Sequence, residues 1–348
     1  MASPAIKIQA VQNQLAFEIA TVQKATTTEA ASNFLPIKNH PLALSFLRTV
    51  IYFDVFDYPL NEKEIFAYCD HKITDINLAR KILHRLTTTN YLNLDSGFYY
   101  LGNDNSKIKR RVEGNKLAAK RMRDARFYSR IIAMFPFTRG VYISGSLSKN
   151  YMDKESDIDY FIITKPGRLW LNRTLLVLFK RLFLFNSNRN FCINYVIDTD
   201  NLAIPERNVY AATETVLLLP MYNHKLFNDF LEANLWFREY YPNYSLPQQR
   251  TEPRIPLLKR LAEKMLDNAL GDKLENYFYK LSVRFWKKKH KEMDKTLFER
   301  NLKSARGISR YHPQRQQFRI LDVYYRKIRE FETATGLLIN KESGAESN

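Results

Sequence analysis

The segment ISGSLSKNYMDKESDIDYFIIT, residues 143–164, constrains the fold of this chain more than any other stretch. The residues GVYI at 140–143 predict a strand, Gly145 and Ser146 predict a turn, and the residues after them predict the start of a helix. About ten residues after Ser146, the run DIDYFIIT predicts a second strand. This order of elements predicts a core of the mixed α/β type.

Asp157 and Asp159 occupy positions i and i+2 of the predicted strand, so both carboxylates are expected on one face, with Ile158 and Tyr160 on the other. Two carboxylates that face one point repel each other unless a cation lies between them. A hard divalent ion, most simply Mg²⁺ with Mn²⁺ as an alternative, binds such oxygens and bridges to substrate phosphates. We therefore predict that Asp157 and Asp159 are metal ligands.

The turn before the aspartates has the composition of a phosphate-binding site. Gly145 has no Cβ, so a phosphate can approach the backbone closely, and Ser146 can cap the following helix or bind the same phosphate oxygen. Ser148 and Lys149 are placed to contact phosphate from the first helical turn, although they are equally consistent with ordinary polar residues at a helix start. Phosphate binding combined with a carboxylate pair is typical of metal-assisted phosphoryl or nucleotidyl transfer.

These residues resemble the nucleotidyltransferase superfamily, which includes DNA polymerase beta, poly(A) polymerases and antibiotic nucleotidyltransferases. The resemblance covers about residues 139–200. It implies that Gly145 and Ser146 hold the phosphates of an NTP, that Asp157 and Asp159 bind two metal ions, and that a nucleoside monophosphate is transferred to an acceptor hydroxyl. The sequence does not identify the acceptor.

The resemblance leaves a third carboxylate unassigned. Many members carry it early on the next core strand, which is here FCINYVID, and the matching position is Asn194. Asp198, or less favourably Asp200, is the candidate that would assist the nucleophile instead. Glu214 is interpreted as a helix charge. Without a third acid, the alternative is a non-catalytic regulator that binds nucleic acid and retains a degenerate transferase core.

Around this core the sequence predicts a winged-helix-like domain at 41–103, with three helices and a hairpin at Asp95-Ser96-Gly97. Its third helix carries side chains that are candidates for DNA contact, namely Arg80, Lys81, His84 and Arg85. A basic helix at 107–130 leads into the transferase core at 104–245, and a basic helical C-terminal domain is predicted at 250–348. Residues 1–40 receive no assignment. The predicted fold class is thus α+β.

The formal charge of +18 indicates anionic partners such as nucleic acid, nucleotides or an acidic membrane surface. Two distant cysteines, Cys69 and Cys192, predict neither a disulfide framework nor a zinc site, and a cytoplasmic location is expected. The apolar window at 169–185 is interrupted by Arg173 and by Lys180-Arg181, which argues against a membrane span. Aromatic side chains at 278–286 and at Tyr311 fit either base stacking or core packing, and core packing is the simpler interpretation.

Overall fold

The computed structural model describes residues 37–246, 256–289, 304–310 and 315–340. Its helices and strands follow in chain order: α1 Pro41–Asp54, α2 Glu62–Tyr68, α3 Ile76–Thr88, β1 Asn93–Asp95, β2 Phe98–Tyr100, α4 Ser106–Met134, β3 Thr138–Ser144, α5 Gly145–Ser148, β4 Asp159–Thr164, α6 Leu169–Phe183, β5 Cys192–Asp198, α7 Val209–Val216, β6 Leu219–Tyr222, α8 His224–Glu232, α9 Leu257–Leu266, α10 Ala269–Lys289, β7 Ser304–Ala305, β8 Ile308–Arg310 and α11 Arg315–Thr335. Short 3₁₀ turns lie at Ile37–Asn39 and Leu235–Glu239.

The central element is a mixed sheet with the strand order β6-β3-β4-β5-β8-β7. β4 and β5 are parallel, and the other neighbouring pairs are antiparallel. Alternation along β4 sends Tyr160 and Ile162 into one apolar layer and Phe161 and Ile163 into the other. Helices cover both faces, so the α+β class with a mixed sheet is confirmed.

The two helical layers contain different parts of the chain. Helices α4 and α6 pack on the face that carries Tyr160, together with Phe278 and Tyr279 of α10. Helices α7 and α8 pack on the opposite face through residues such as Ala212, Phe227 and Phe230. The expected core packing is thereby confirmed for Phe278 and Tyr279, and Trp286 is buried as well, whereas Phe285 is 52 % exposed. Tyr311 lies outside the described residues.

The winged-helix-like arrangement expected at 41–103 has the predicted elements. Asn61 and Glu64 form a reciprocal capping box that starts α2, and the Asp75 carboxylate caps α3. Ser96 and Gly97 both have positive φ, at 51° and 81°, which is the backbone of a type I′ hairpin turn. Tyr99 exchanges backbone hydrogen bonds with Leu60, which adds a short third segment to the β1–β2 hairpin.

The predicted C-terminal domain does not form a separate unit in the described residues. Helix α10 packs on α6, while β8 pairs with β5 at the sheet and α11 packs on α1. Lys327 of α11 donates to Asp54 of α1 at 2.7 Å, and the same carboxylate accepts from Lys107 of α4 at 2.7 Å. The C-terminal elements therefore complete the sheet and the winged-helix-like region because their apolar faces find partners there.

Arg111 of α4 joins that helix to the winged-helix-like region. Its guanidinium donates to the Pro59 carbonyl at 3.0 Å and to Glu64 Oε1 at 2.6 Å, and its Cζ lies 3.5 Å from the centroid of the Tyr58 ring. Arg111 is 2 % exposed, whereas its neighbour Arg110 forms a solvent-accessible ion pair with Asp57. The predicted basic helix is therefore not uniformly solvated.

We expect Arg111→Ala to lower the free energy of unfolding by about 3 kcal/mol, because it leaves Glu64 and a buried carbonyl without their donor. Urea denaturation measures this loss. Arg110→Ala is the matched control, and its expected loss is below about 1 kcal/mol. Equal losses for the two variants would contradict the role assigned to Arg111.

Candidate functional site

The end of β3 and the start of β4 meet at one edge of the sheet. Ser144 and Asp159 are register partners there, and Gly145 follows with φ +68°. A Cβ built on Gly145 would lie 2.3 Å from Asp159 Oδ2 and 3.2 Å from its Cγ. Glycine is therefore required at 145 for two reasons: its backbone is left-handed, and the Asp159 carboxylate occupies the space that a Cβ would need.

Asp157 lies two residues before β4 and is partly exposed. Ile158, between the two aspartates, is fully buried in the same apolar layer as Tyr160, and its backbone bonds to Arg189 and Cys192 continue the pairing with the β5 side. The carboxylate of Asp159 projects from the opposite face, as the sequence predicted. After burial, the charge of Asp157 is among the causes that raise the pKa of Asp159, so the two carboxylates lie close enough to interact.

Burial is the main electrostatic influence on Asp159. It raises the pKa of that carboxyl to about 6, against the lowering effect of a hydrogen bond with the Cys192 thiol. The charges of Asp157 and Glu214 raise the pKa further, while the Lys149 ammonium lowers it. The pKa of Cys192 is itself raised by burial and by the neighbouring Asp159 charge, which keeps the thiol protonated. Desolvation and the neighbouring acids favour the protonated form of Asp159, whereas a nearby positive charge favours the ionised form.

Lys149 and Glu214 form an ion pair beside the aspartates. Lys149 Nζ donates to Glu214 Oε1 at 2.8 Å and to the Gly145 carbonyl at 3.2 Å, and the Lys149 side chain is 14 % exposed. Glu214 comes from α7, about 55 residues after Asp159 in sequence. Interpreting Glu214 as an ordinary helix charge missed its position, because no local sequence pattern links α7 to this edge of the sheet.

The two serines of the predicted phosphate turn differ in their surroundings. Ser148 is 8 % exposed, and its Oγ donates to the Gly145 carbonyl at 2.8 Å inside the turn. Ser146 is partly exposed, and its carbonyl accepts the backbone N–H groups of Lys149 and Tyr151. Ser148 therefore stabilises the turn, and its contact with phosphate stays a prediction, while Ser146 is more open to a ligand.

Asp198 does not belong to this edge of the sheet. Asp159 is the register partner of Cys192 and Thr164 is the partner of Asp198, so Asp198 lies at the far end of the parallel pair, about 20 Å along the strand. Its carboxylate accepts from the Asn201 side chain at 2.7 Å and from the backbone N–H of Asp200. The prediction that Asp198 assists the nucleophile is wrong for this geometric reason, and Asp200 shares the same remote position.

Asn194 lies at a β-bulge. The register between β4 and β5 shifts between Ile193 and Tyr195, so Asn194 is the extra residue on β5. It lines a cavity of ≈ 80 Å³ beside the aspartates. The full lining comprises Ser144, Phe161, Asn194, Tyr195, Ile204, Tyr210, Ala211, Glu214, Thr215, Leu218, Phe230 and Arg310.

Ser144 lines this cavity, and its hydroxyl is buried. The residue is 7 % exposed, and within the described residues its Oγ has no hydrogen-bond partner. A buried hydroxyl without a partner costs free energy unless a ligand or water satisfies it. Together with Asn194 and Glu214, Ser144 makes the cavity wall polar on the side of the aspartates.

Among the described residues, no group of three or more His, Cys, Asp or Glu side chains is arranged to hold a metal ion. No helix in the described part of the chain is long and apolar enough to span a bilayer. Comparisons with known proteins found no matching family model, no matching curated protein and no matching solved structure. The geometry of the site is therefore the basis for assigning a function.

We expect Asp159→Asn to stabilise the metal-free protein at neutral pH. The folded pKa of about 6 is above the unfolded value of about 4, so the folded state holds the proton more tightly and stability falls as pH rises through this window. The difference between the variant and the wild type is expected to reach about 2 kcal/mol at pH 8 and to vanish toward pH 4.

Urea denaturation in chelator across pH 4–8 measures this difference, and carboxyl NMR reports the pKa directly. Glu155→Gln, an exposed neutral substitution in the same loop, is the control and should show no pH-dependent gain. A pH-independent effect of Asp159→Asn would contradict the raised pKa.

Gly145→Ala tests the close approach of Asp159. Gly167 has nearly the same φ, +67°, but nothing lies within 4 Å of the position that a Cβ would take there, so Gly167→Ala reports backbone strain alone. That strain costs about 1–2 kcal/mol. We expect Gly145→Ala to cost about 1–3 kcal/mol more, from overpacking against the carboxylate. Equal unfolding free energies for the two variants would show that Asp159 moves aside without cost.

Proposed function

We propose that this protein is a Mg²⁺-dependent nucleotidyltransferase that moves a nucleoside monophosphate from an NTP to an acceptor hydroxyl. The observation that carries the proposal is the position of the Asp159 carboxylate against Gly145, with Asp157 beside it, at the edge where β3 turns into β4. The order of strand, glycine-serine turn, helical turn and returning strand agrees with the nucleotidyltransferase resemblance.

The residues present fit a divalent ion. Asp157 and Asp159 supply hard oxygen ligands, and the charge of Asp157 already disfavours ionisation of Asp159 in the free protein. Mg²⁺ takes few protein ligands and is usually completed by substrate phosphates and water, so two carboxylates suffice. When bound, the ion would supply charge neutralisation for the phosphates, and Mn²⁺ is an alternative.

The proposed reaction is an in-line substitution at the α-phosphorus of the NTP. The acceptor oxygen forms a new P–O bond, the bond from the α-phosphorus to the bridging oxygen breaks, and pyrophosphate leaves with the bond electrons. The acceptor proton passes to a base. Gly145 lets the phosphates approach the backbone, and Ser146 offers a hydroxyl beside them. The rate depends on positioning and on charge neutralisation.

Glu214 takes the place that the sequence analysis gave to Asp198. It is the further carboxylate whose charge raises the pKa of Asp159, and it lines the same cavity as Ser144 and Asn194. Its partner Lys149 is a cation held within the site. We infer that Glu214 accepts the acceptor proton and that Lys149 neutralises phosphate charge when the ion pair opens.

The second candidate is a nucleic-acid-binding regulator with a degenerate core. The arrangement of α3 favours it, because Arg80, Lys81 and His84 are exposed on that helix. Glu62 pairs with Arg80 at 3.0 Å, which reduces the positive charge available there. The absence of a three-carboxylate cluster in the described residues also favours this alternative. Both candidates agree with free cysteines and a cytoplasmic location.

Incubation with each labelled NTP and Mg²⁺, with and without candidate acceptors, tests the enzyme. We expect Mg²⁺-dependent pyrophosphate release in the wild type and a loss of about 10²–10³-fold in Asp157→Asn and in Asp159→Asn, because each variant removes a ligand that neutralises transition-state charge. Glu155→Gln controls for a change of charge in the same loop. Full activity of Asp159→Asn, or Mg²⁺-independent turnover, would refute the metal assignment. Tight duplex binding without pyrophosphate release would favour the regulator.

A further inference from the structure

A second cavity, of ≈ 270 Å³, lies away from the aspartates. It is enclosed by α1, by residues 68–70, by the segment around Glu239 and by α11, and it shares no lining residue with the cavity beside Asn194. Small-molecule sites usually measure roughly 300–1,000 Å³, so this volume, just below that range, suits only a small ligand.

The walls of this cavity are mainly aromatic. Six tyrosines line it, namely Tyr52, Tyr68, Tyr240, Tyr241, Tyr324 and Tyr325. Edge-to-face packing fixes some of these rings: Tyr52 and Tyr324 have centroids 5.4 Å apart, and Tyr68 and Tyr241 have centroids 6.1 Å apart. The negative face of a tyrosine ring attracts an organic cation, whereas its positive edge does not, so a cation in this cavity would lie over ring faces.

The charges at the cavity favour a cation as well. Arg48 is the cation in the lining, and it forms two hydrogen bonds with the Asp70 carboxylate, at 2.8 and 2.9 Å, and a third with the Ile339 carbonyl. Its charge is therefore balanced by Asp70. Glu239, an exposed residue, also lines the cavity, and it forms no ion pair with the other described residues. The described lining residues, with Arg48, Asp70 and Glu239, thus carry one more negative than positive charge, in a protein of formal charge +18.

Tyr52 contributes its ring to the aromatic walls. Tyr52 is 2 % exposed, and its Oη is buried next to the Thr213 hydroxyl. The Thr213 hydroxyl in turn donates to the Val209 carbonyl and pairs with Tyr241 Oη. The ring of Tyr52, and not its hydroxyl, therefore forms part of the cavity wall.

We propose that the tyrosine cavity binds a small alkylated ammonium ion, a ligand of the size and charge of choline. The aromatic rings and Glu239 recognise the ammonium group. This site is independent of the nucleotidyl-transfer proposal, because none of its lining residues belongs to the candidate transfer site.

Isothermal titration of the full chain with choline and with 3,3-dimethylbutan-1-ol tests the proposal. The alcohol is the neutral carbon analogue of choline, so the pair differs mainly in charge. We expect choline to bind at least about tenfold more tightly, since a cation–π and carboxylate contribution of about 1.4 kcal/mol corresponds to that ratio. Equal affinity for the two compounds, or no binding of either, overturns the proposal.

Three variants locate the binding. Glu239→Gln should weaken choline by about threefold to tenfold and leave the alcohol unchanged, while Glu232→Gln, an exposed acid outside the cavity, is the matched control. Tyr240→Ala should weaken both compounds, because it removes a partly exposed ring from the cavity wall. Choline affinity unchanged in Glu239→Gln and in Tyr240→Ala would place any binding elsewhere and overturn the assignment.

A vesicle assay distinguishes two sources of the ammonium group, a lipid headgroup and a free soluble cation. Phosphatidylcholine vesicles that sediment with the protein, and release it when choline is added, would identify a lipid headgroup as the source. Free choline binding without sedimentation would identify a soluble cation. Both outcomes support the cavity assignment. Vesicle binding that choline does not displace, together with no binding of free choline, would refute it.

Discussion

The close approach of Asp159 to Gly145 determines the rest of the candidate site. Register pairing of Ser144 with Asp159 brings the end of β3 and the start of β4 together, so the turn after β3 must pass directly over the carboxylate. Only a residue without a Cβ and with a left-handed backbone allows this path. The same pairing partly buries Asp159, and this desolvation, with the nearby charges of Asp157 and Glu214, raises the pKa of its carboxyl.

The winged-helix-like region is attached to this site and does not stand apart from it. The Tyr58 hydroxyl donates to the backbone carbonyl of Lys149, the residue whose ammonium pairs with Glu214. Arg111 stacks on the Tyr58 ring and binds Pro59 and Glu64. A partner that moves this region would therefore act on the Gly145 turn through Tyr58, whether or not the region contacts nucleic acid.

Local patterns predicted the elements and the main pair of the site, because alternation, turn residues and capping residues act over a few positions. The β1–β2 hairpin, the Asp75 cap and the face of Asp159 are of this kind. Glu214 was missed because a helix far along the chain brings it to the sheet edge, which is a tertiary contact. Asp198 was misplaced because the length of β5 carries it to the other end of the sheet. The bulge at Asn194 was likewise unpredictable, since it depends on register with β4.

Helix α7 lies between the two cavities. Val209 lines the tyrosine cavity, while Tyr210, Ala211, Glu214 and Thr215 line the cavity beside the aspartates. Thr213 pairs with Tyr241, so the helix is fixed to a wall of the larger cavity by a side-chain contact as well. A ligand in the larger cavity that stabilises one position of α7 must also stabilise the position of Glu214 that goes with it. By thermodynamic linkage, a ligand that stabilises that position of Glu214 must then strengthen binding in the larger cavity. Any such movement of α7 would change the ion pair between Glu214 and Lys149, and with it the charges beside Asp159.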